Sequence, residues 1–245
     1  MFQPVVPLPG VSGWVFLQNT IESQSRAFDT SPEIVRDTEY FEQKIGEIRN
    51  AEDLVNDRRL LRVALGAFGL QDDIDNRHLI KTVLDEGSQA GDALANRLAD
   101  DRYAQLSAAF GFGATEALRT IETGFGREIT DLFRIREFEV AVGVQNEAMR
   151  LGLNADRELS DIAKSSSSED ARWFRILGTP PLRAVFETAL GLPDGFAQLD
   201  IDRQLDIFKE KSRDTLGLES LDALADDDTR EESCVHFLFA IKSNP

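Results

Sequence analysis

Apolar side chains recur along this chain at intervals of three and four residues, and few stretches alternate as strands do. The pattern predicts an all-α fold: a multihelical single domain with one long central helix and several shorter helices closed by glycine. Residues 1–11, with Pro4, Pro7 and Pro9, read as an extended segment, and residues 12–245 as the helical domain. A short helix is expected after Ser12. Near residue 31 a start signature appears. Thr30 or Ser31 caps, Pro32 fits the first turn where its missing N–H has no partner to lose, and Glu33 and Asp37 favour the positive end of the helix. Ile34, Tyr40, Phe41, Ile45 and Ile48 then form one apolar face. Asn50 is placed to cap a helix running through Phe68. Further helices are expected over residues 75–87 and 92–110. The second of these turns Leu94, Leu98, Tyr103, Leu106 and Phe110 inward. The long helix spans residues 127–164, with Ile129, Leu132, Phe133, Phe138 and Val142 as its stripe, and Gly143 and Gly152 permitting close contact or a bend. The tract KSSSSED at 164–170 is the clearest loop and the candidate internal break. Pro180 and Pro181 part the helix that follows from the next one. Residues 221–232 read as an acidic tether leading to an apolar helix at 233–242.

One motif recurs four times. Ala67-Phe68-Gly69-Leu70, Ala109-Phe110-Gly111-Phe112, Ala189-Leu190-Gly191-Leu192 and Thr215-Leu216-Gly217-Leu218 each follow a helical pattern. The expected structure is a helix C-terminus, with glycine in the left-handed conformation and the next apolar residue folded back, as Leu70 on Leu65. Breakers follow, among them Asp72 and Asp73, and Pro193 with Asp194. A phosphate loop needs Gly-x-Gly after a strand or a terminal Gly-Lys-Ser/Thr, and none of the four sites has that context. The acids after Gly69 do not make a calcium loop either. Counted from Asp73, Arg77 stands where an oxygen ligand belongs, His78 where the turn needs glycine, and Leu84 where the terminal Glu belongs. Asp72, Asp73 and Asp75 are read as caps of the next helix.

Charge narrows the function classes. The 245 residues carry 44 acids against 27 bases, a net charge of −17. A chain so acidic lacks the basic face that nucleic-acid backbones or anionic membranes attract, and it favours a basic protein partner. No apolar run reaches the roughly 18 residues of a membrane span, so no membrane insertion is expected. The N-terminus has no Lys or Arg before Arg26, which departs from a secretory signal. The lone Cys234 forms no internal disulfide and excludes a four-thiolate zinc site. These features fit a cytoplasmic protein, with export through an uncleaved signal as the alternative.

Candidate chemistry is sparse. His78 and His236 each sit in a helical pattern without a second ligand at useful spacing. Cys234 and His236, two residues apart on a helix, point about 200° apart and share no proton. No nucleophile elbow, zinc-protease motif or cofactor loop is present, so no catalytic, metal or cofactor residue is assigned. Trp173 and Phe174, like Phe237, Leu238 and Phe239, are read as core. The alternative for Phe237, Leu238 and Phe239, on a helix apolar nearly all round, is that they are the candidate partner-binding residues.

Several stretches resemble, in order, a bacterial family of all-helical proteins described as a domain of unknown function. They are LRVALGAFGL (61–70), LIKTVLDEG (79–87), ANRLADDRY (95–103), AAFGF (108–112), EVAVGVQNEAMRLGLNADREL (139–159), WFRILGTPPLRAVFETALGLP (173–193) and LDIDRQLDIF (199–208). The resemblance spans roughly residue 15 to the C-terminus. Members of that family are often encoded among flagellar genes. The resemblance therefore implies a non-enzymatic flagellar structural, assembly or accessory factor that contacts protein partners, with no catalytic residues to carry over. The alternative is an enzyme with an unrecognised carboxylate-lined site, using acids such as Glu147 and Asp156. That reading expects a deep cleft around them. A third reading, an acidic mimic of nucleic acid, expects its charge gathered on one face.

Overall fold

The computed structural model of the chain describes residues 2–193 and 195–243, the last three as backbone. Among them it forms α-helices and short 3₁₀ turns and no strand, the all-α fold that the apolar periodicity requires. The chain divides into two compact units, one of Met1–Pro4 with Glu22–Ala141, the other of Val5–Ile21 with Val142–Pro245. The division falls inside two helices, and the serine tract 164–170 lies within the second unit.

The first unit takes the C-terminal part of α1 (Gly10–Asp29), then α2 (Pro32–Lys44), α3 (Ala51–Asn56), α4 (Arg58–Ala67), α5 (Arg77–Glu86), α6 (Leu94–Arg97), α7 (Arg102–Phe110) and most of α8 (Phe125–Gly143). The helix expected after Ser12 thus starts at Gly10 and runs 20 residues. α4 packs on α2 and α3, and α5 on α3 and α7. The sequence of α4 explains its position. Leu60, Leu61, Val63, Ala64, Leu65 and Ala67 are buried, leaving Arg58, Arg59 and Arg62 on its remaining face. At Gly66 a β-carbon would lie 2.7 Å from the Phe133 ring, so glycine permits α8 to approach. Phe28 meets Phe138 edge-on at 5.7 Å, and Phe110 meets Phe125 at 5.2 Å.

Two expected helices here are each divided. The one from Asn50 to Phe68 breaks at Asp57, whose carboxylate accepts from the N–H groups of Arg59 and Leu60 and caps α4. Asn50 caps α3 as expected, accepting from Asp53 N at 2.8 Å. The one over 92–110 breaks at 98–101, where Leu98 is extended and Asp100 accepts from Arg102 N at 3.0 Å. In both cases an Asp side chain competes for backbone donors and restarts the helix. Asp72, Asp73 and Asp75 do not cap α5. Asn76 holds that position without a side-chain bond, and Asp73 accepts from Tyr103 Oη and Asn76 Nδ2, each at 2.7 Å.

The repeated Gly-Leu stops form as the motif predicts. Gly69 has φ +71°, and Leu70 N donates to Leu65 O at 2.9 Å, closing the last turn of α4. The same six-residue bond recurs from Leu192 N to Glu187 O at 2.9 Å; Asp194, named beside Pro193 as the breaker there, lies outside the described residues. Gly111, at φ +65°, is the most constrained of the set. A β-carbon there would stand 2.0 Å from Ala117 O. Gly111→Ala is expected to cost about 2–3 kcal/mol through combined strain and clash, read as a lower urea midpoint. A change near zero would mean that residues 112–118 move aside freely.

The second unit takes the start of α1, the end of α8, α9 (Glu147–Lys164), α10 (Glu169–Gly178), α11 (Pro180–Ala189), α12 (Ile201–Leu216) and α13 (Asp227–Ser243). The long central helix expected over 127–164 is therefore two helices. Asn146 interrupts it, with its side chain accepting from Met149 N and capping α9. Gly152 supplies the close contact expected of it: a β-carbon would meet Trp14 Cζ3 at 2.8 Å, so the indole lies flush on α9. Ser168 caps α10, accepting from Ala171 N. The core of the unit is aromatic. Phe186 stacks on Phe208 at 5.9 Å and 16°, meets Trp173 edge-on at 5.9 Å, and touches Phe237 at 5.2 Å. Trp173 is core as expected, while Phe174 is half-buried.

The acidic stretch 221–232 is ordered rather than a tether. Leu221–Ala225 forms a 3₁₀ turn with Leu221 and Leu224 fully buried. Glu169 accepts from Leu221 N at 2.9 Å, and Arg172 pairs with both Glu169 and Asp222. The two leucines and this clamp fix a segment whose composition alone suggested mobility.

Candidate protein-binding surface

The C-terminal helix begins at Asp227, six residues before the apolar run that marked it in the sequence. Asp226 starts it. Its carboxylate accepts from the N–H and hydroxyl of Thr229 at 2.9 and 2.8 Å, and these bonds hold its pKa below the ordinary carboxylate value. α13 packs on α9 and α11. Its buried side consists of Arg230, Ser233, Cys234, Phe237 and Leu238. Arg230 donates to Asp156 at 2.8 Å, to Asp227 at 2.6 Å and to Leu224 O at 3.0 Å, so its charge is spent inside the unit.

Helical phase sorts the three candidate partner-binding residues. Phe237 is fully buried and Leu238 is 2% exposed, so both seat the helix on its own unit. Phe239, about 100° further round, is 60% exposed. Its outward face is shared by Asp228, Glu231, Glu232 and His236, all exposed, and by the half-buried Val235. Sequence reasoning found the segment but not its phase, because apolar residues occur nearly all round it. Arg230, about two turns before Phe237, was the available signal.

Other candidate groups are dispersed. Glu147 is 60% exposed and pairs with Arg150, while Asp156 pairs with Arg230, so each acid of the alternative reading is engaged with an arginine. His78 and His236 are exposed, whereas Cys234 is fully buried, and burial pushes its thiol well above the ordinary value. Among the described residues no group of three His, Cys, Asp or Glu is placed to hold a metal ion. None of the described helices is long and apolar enough to cross a membrane. In the first unit a shallow depression of about 670 Å³ is lined by Glu47, Ile48, Asp53, Asn56, Asp57, Arg58 and Arg59. Asp57, Arg58 and Arg59 in its lining are engaged with neighbours. Asp57 accepts from Tyr40 Oη at 2.6 Å, which raises the phenol pKa. Arg59 lies 3.9 Å over the Tyr40 ring, and Arg58 pairs with Asp75 at 2.8 Å.

The sequence pattern of the family described as "Protein of unknown function (DUF1217)" matches residues 67–228. The chain belongs to this family. The matched span runs from the stop of α4 to the first turn of α13 and so includes parts of both units. The fold is also that of a crystallised protein of Agrobacterium tumefaciens, AGR_C_984. The two share 23% sequence identity and a TM-score of 0.78 over 99% of this chain and 100% of the other. That likeness speaks for the fold alone. No curated protein matches the chain significantly.

Proposed function

We propose that the protein works by binding another protein, as a structural, assembly or accessory factor of the flagellum, and that the outer face of α13 is its contact surface. The observation that carries the reading is Phe239, 60% exposed on a helix whose adjacent Phe237 and Leu238 are core. A large aromatic held in place by a packed helix is the kind of side chain that anchors interfaces. The flagellar setting rests on the family resemblance carried by motifs such as LRVALGAFGL and WFRILGTPPLRAVFETALGLP. The protein acts in the cytoplasm in this reading, with export to the flagellum as the alternative.

The test is cross-linked co-purification of the tagged protein from swimming cells of its host. Recovery of rod, hook, basal-body or export components, with cross-links mapping to 227–240 and lost in Phe239→Ala, is the expected outcome. Recovery of the protein alone, or of metabolic enzymes, would remove the flagellar assignment.

A further inference from the structure

As far as Phe239, the outer face of α13 differs from the other helices of its unit in the sign of its charge. On α12, Asp202 and Asp206 are interleaved with Arg203 and Lys209; on α10, Asp170 is paired with Lys209. On α11, Arg183 and Glu187 pair at 2.7 Å. From Leu221 to Phe239 the sole Lys or Arg is Arg230, and it is buried against Asp156 and Asp227. Among the residues whose side chains the structure describes, the exposed charges left on the helix face are Asp228, Glu231 and Glu232; the side chain of Lys242, three residues past Phe239, lies outside them. Asp228 stands in the first turn, where an acid favours the helix itself. Glu231 and Glu232 lie beyond that turn, so the dipole does not account for them.

At 100° per residue, Asp228, Glu231, Glu232, Val235, His236 and Phe239 fall within an arc of roughly 140°. Arg230, Ser233, Cys234, Phe237 and Leu238 occupy the opposite arc, as their burial requires. The outer arc is therefore graded along the axis. It is acidic over its first turns and ends on an exposed aromatic roughly 16 Å from Asp228, at 1.5 Å per residue.

We infer that the partner presents a basic amphipathic helix to this face. Its Lys or Arg side chains oppose Asp228, Glu231 and Glu232, and one bulky apolar residue about three turns away packs on Phe239 and Val235. The inference rests on the protein-binding reading above and specifies the partner's chemistry. Charge complementarity selects the occupant: a second acidic helix would set like charges opposite each other, and a purely apolar segment would leave three carboxylates facing it.

The test uses the full chain and two synthetic peptides of identical composition. One has Lys and Leu arranged at helical spacing on opposite faces; the other is scrambled. Because a cationic peptide is drawn to any protein of net charge −17, the deciding comparison keeps net charge fixed. One variant is Asp228→Asn with Glu231→Gln and Glu232→Gln. The other is Asp202→Asn with Asp206→Asn and Glu210→Gln, on the exposed face of α12. The α13 variant is expected to weaken binding of the amphipathic peptide about tenfold, with three partly screened ion pairs lost. Phe239→Ala should weaken it severalfold, and the α12 variant by less than about twofold. Peptide binding should also protect backbone amides in 227–240 from hydrogen exchange. Circular dichroism verifies that each variant is folded. Equal losses in the two charge variants would reduce the effect to bulk charge and overturn the inference. So would equal binding of the scrambled peptide. Host-partner cross-links at α13 without peptide binding there would overturn the partner's chemistry alone, whereas cross-links confined to other helices would overturn the contact surface itself.

Discussion

Replacing Phe186 by Ala is expected to lower the unfolding free energy by about 3–5 kcal/mol. Phe186 is fully buried and touches three other rings: Phe208 stacked at 5.9 Å, Trp173 edge-on at 5.9 Å, and Phe237 at 5.2 Å. Those rings come from α10, α12 and α13, so one truncation removes contacts among four helices at once. Phe208 is itself held against Phe196, and Trp173 Nε1 donates to Glu169, so neither is free to fill the space. Phe186→Leu, which retains most of the volume, should lose about a third as much. Unfolding is conveniently followed by tryptophan fluorescence, because both tryptophans, Trp14 and Trp173, belong to the second unit. The same truncation loosens the seat of Phe237 and should weaken any ligand held by the outer face of α13. A loss below about 1 kcal/mol would mean that the cluster collapses to fill the gap and that its geometry does not set stability.

What the sequence discloses follows from how local the physics is. The stop at Gly69-Leu70 was readable because a left-handed glycine and the bond from Leu70 N to Leu65 O involve six consecutive residues. The cap at Asn50 was readable for the same reason. The breaks at Asp57, Leu98 and Asn146 were missed. Apolar periodicity continues across each of them, and a single Asp or Asn decides between one helix and two by taking backbone donors. The order in 221–232 was hidden in another way. Glu169 and Arg172 lie some fifty residues earlier in the chain, and only the fold brings them to Leu221 and Asp222. For the binding surface, composition located the segment but could not choose among Phe237, Leu238 and Phe239, since that choice depends on what α9 and α11 cover.

The first unit should become more stable when Glu137 is neutralised. Glu137 on α8 lies near Arg62 of α4, with Oε2 4.0 Å from the guanidinium; Glu33 and Asp37 of α2 bind the same guanidinium. Arg59 and Arg36 also approach Asp37, at 3.6 and 3.8 Å. Three carboxylates thus share Arg62. Burial raises the Glu137 pKa above the ordinary 4.5; Arg62 opposes the shift, and Glu33 and Asp37 add to it. A raised folded-state value means that the folded chain holds this proton more tightly than the unfolded chain. The associated stability is fully present below about 4.5 and is lost as pH rises through the raised value. Asp29, whose pKa burial also raises, acts in the same direction from its own ordinary value of 3.8. Glu137→Gln should therefore gain about 0.5–2 kcal/mol at neutral pH and nothing at pH near 4, where the wild-type group is already protonated. Removing the shared cation should act oppositely. Arg62→Ala leaves Asp37 and Glu137 short of charge and should cost about 2 kcal/mol, below the 3–5 of fully buried pairs because Arg62 is one-third exposed. Adding Glu137→Gln to Arg62→Ala should restore more than it gains alone, because the two groups interact directly. Hydrogen exchange at the backbone amides of this unit, alongside circular dichroism, follows its unfolding. If Glu137→Gln lowered stability at neutral pH, the ionised carboxylate would be a net contributor and Arg62 would more than offset its desolvation.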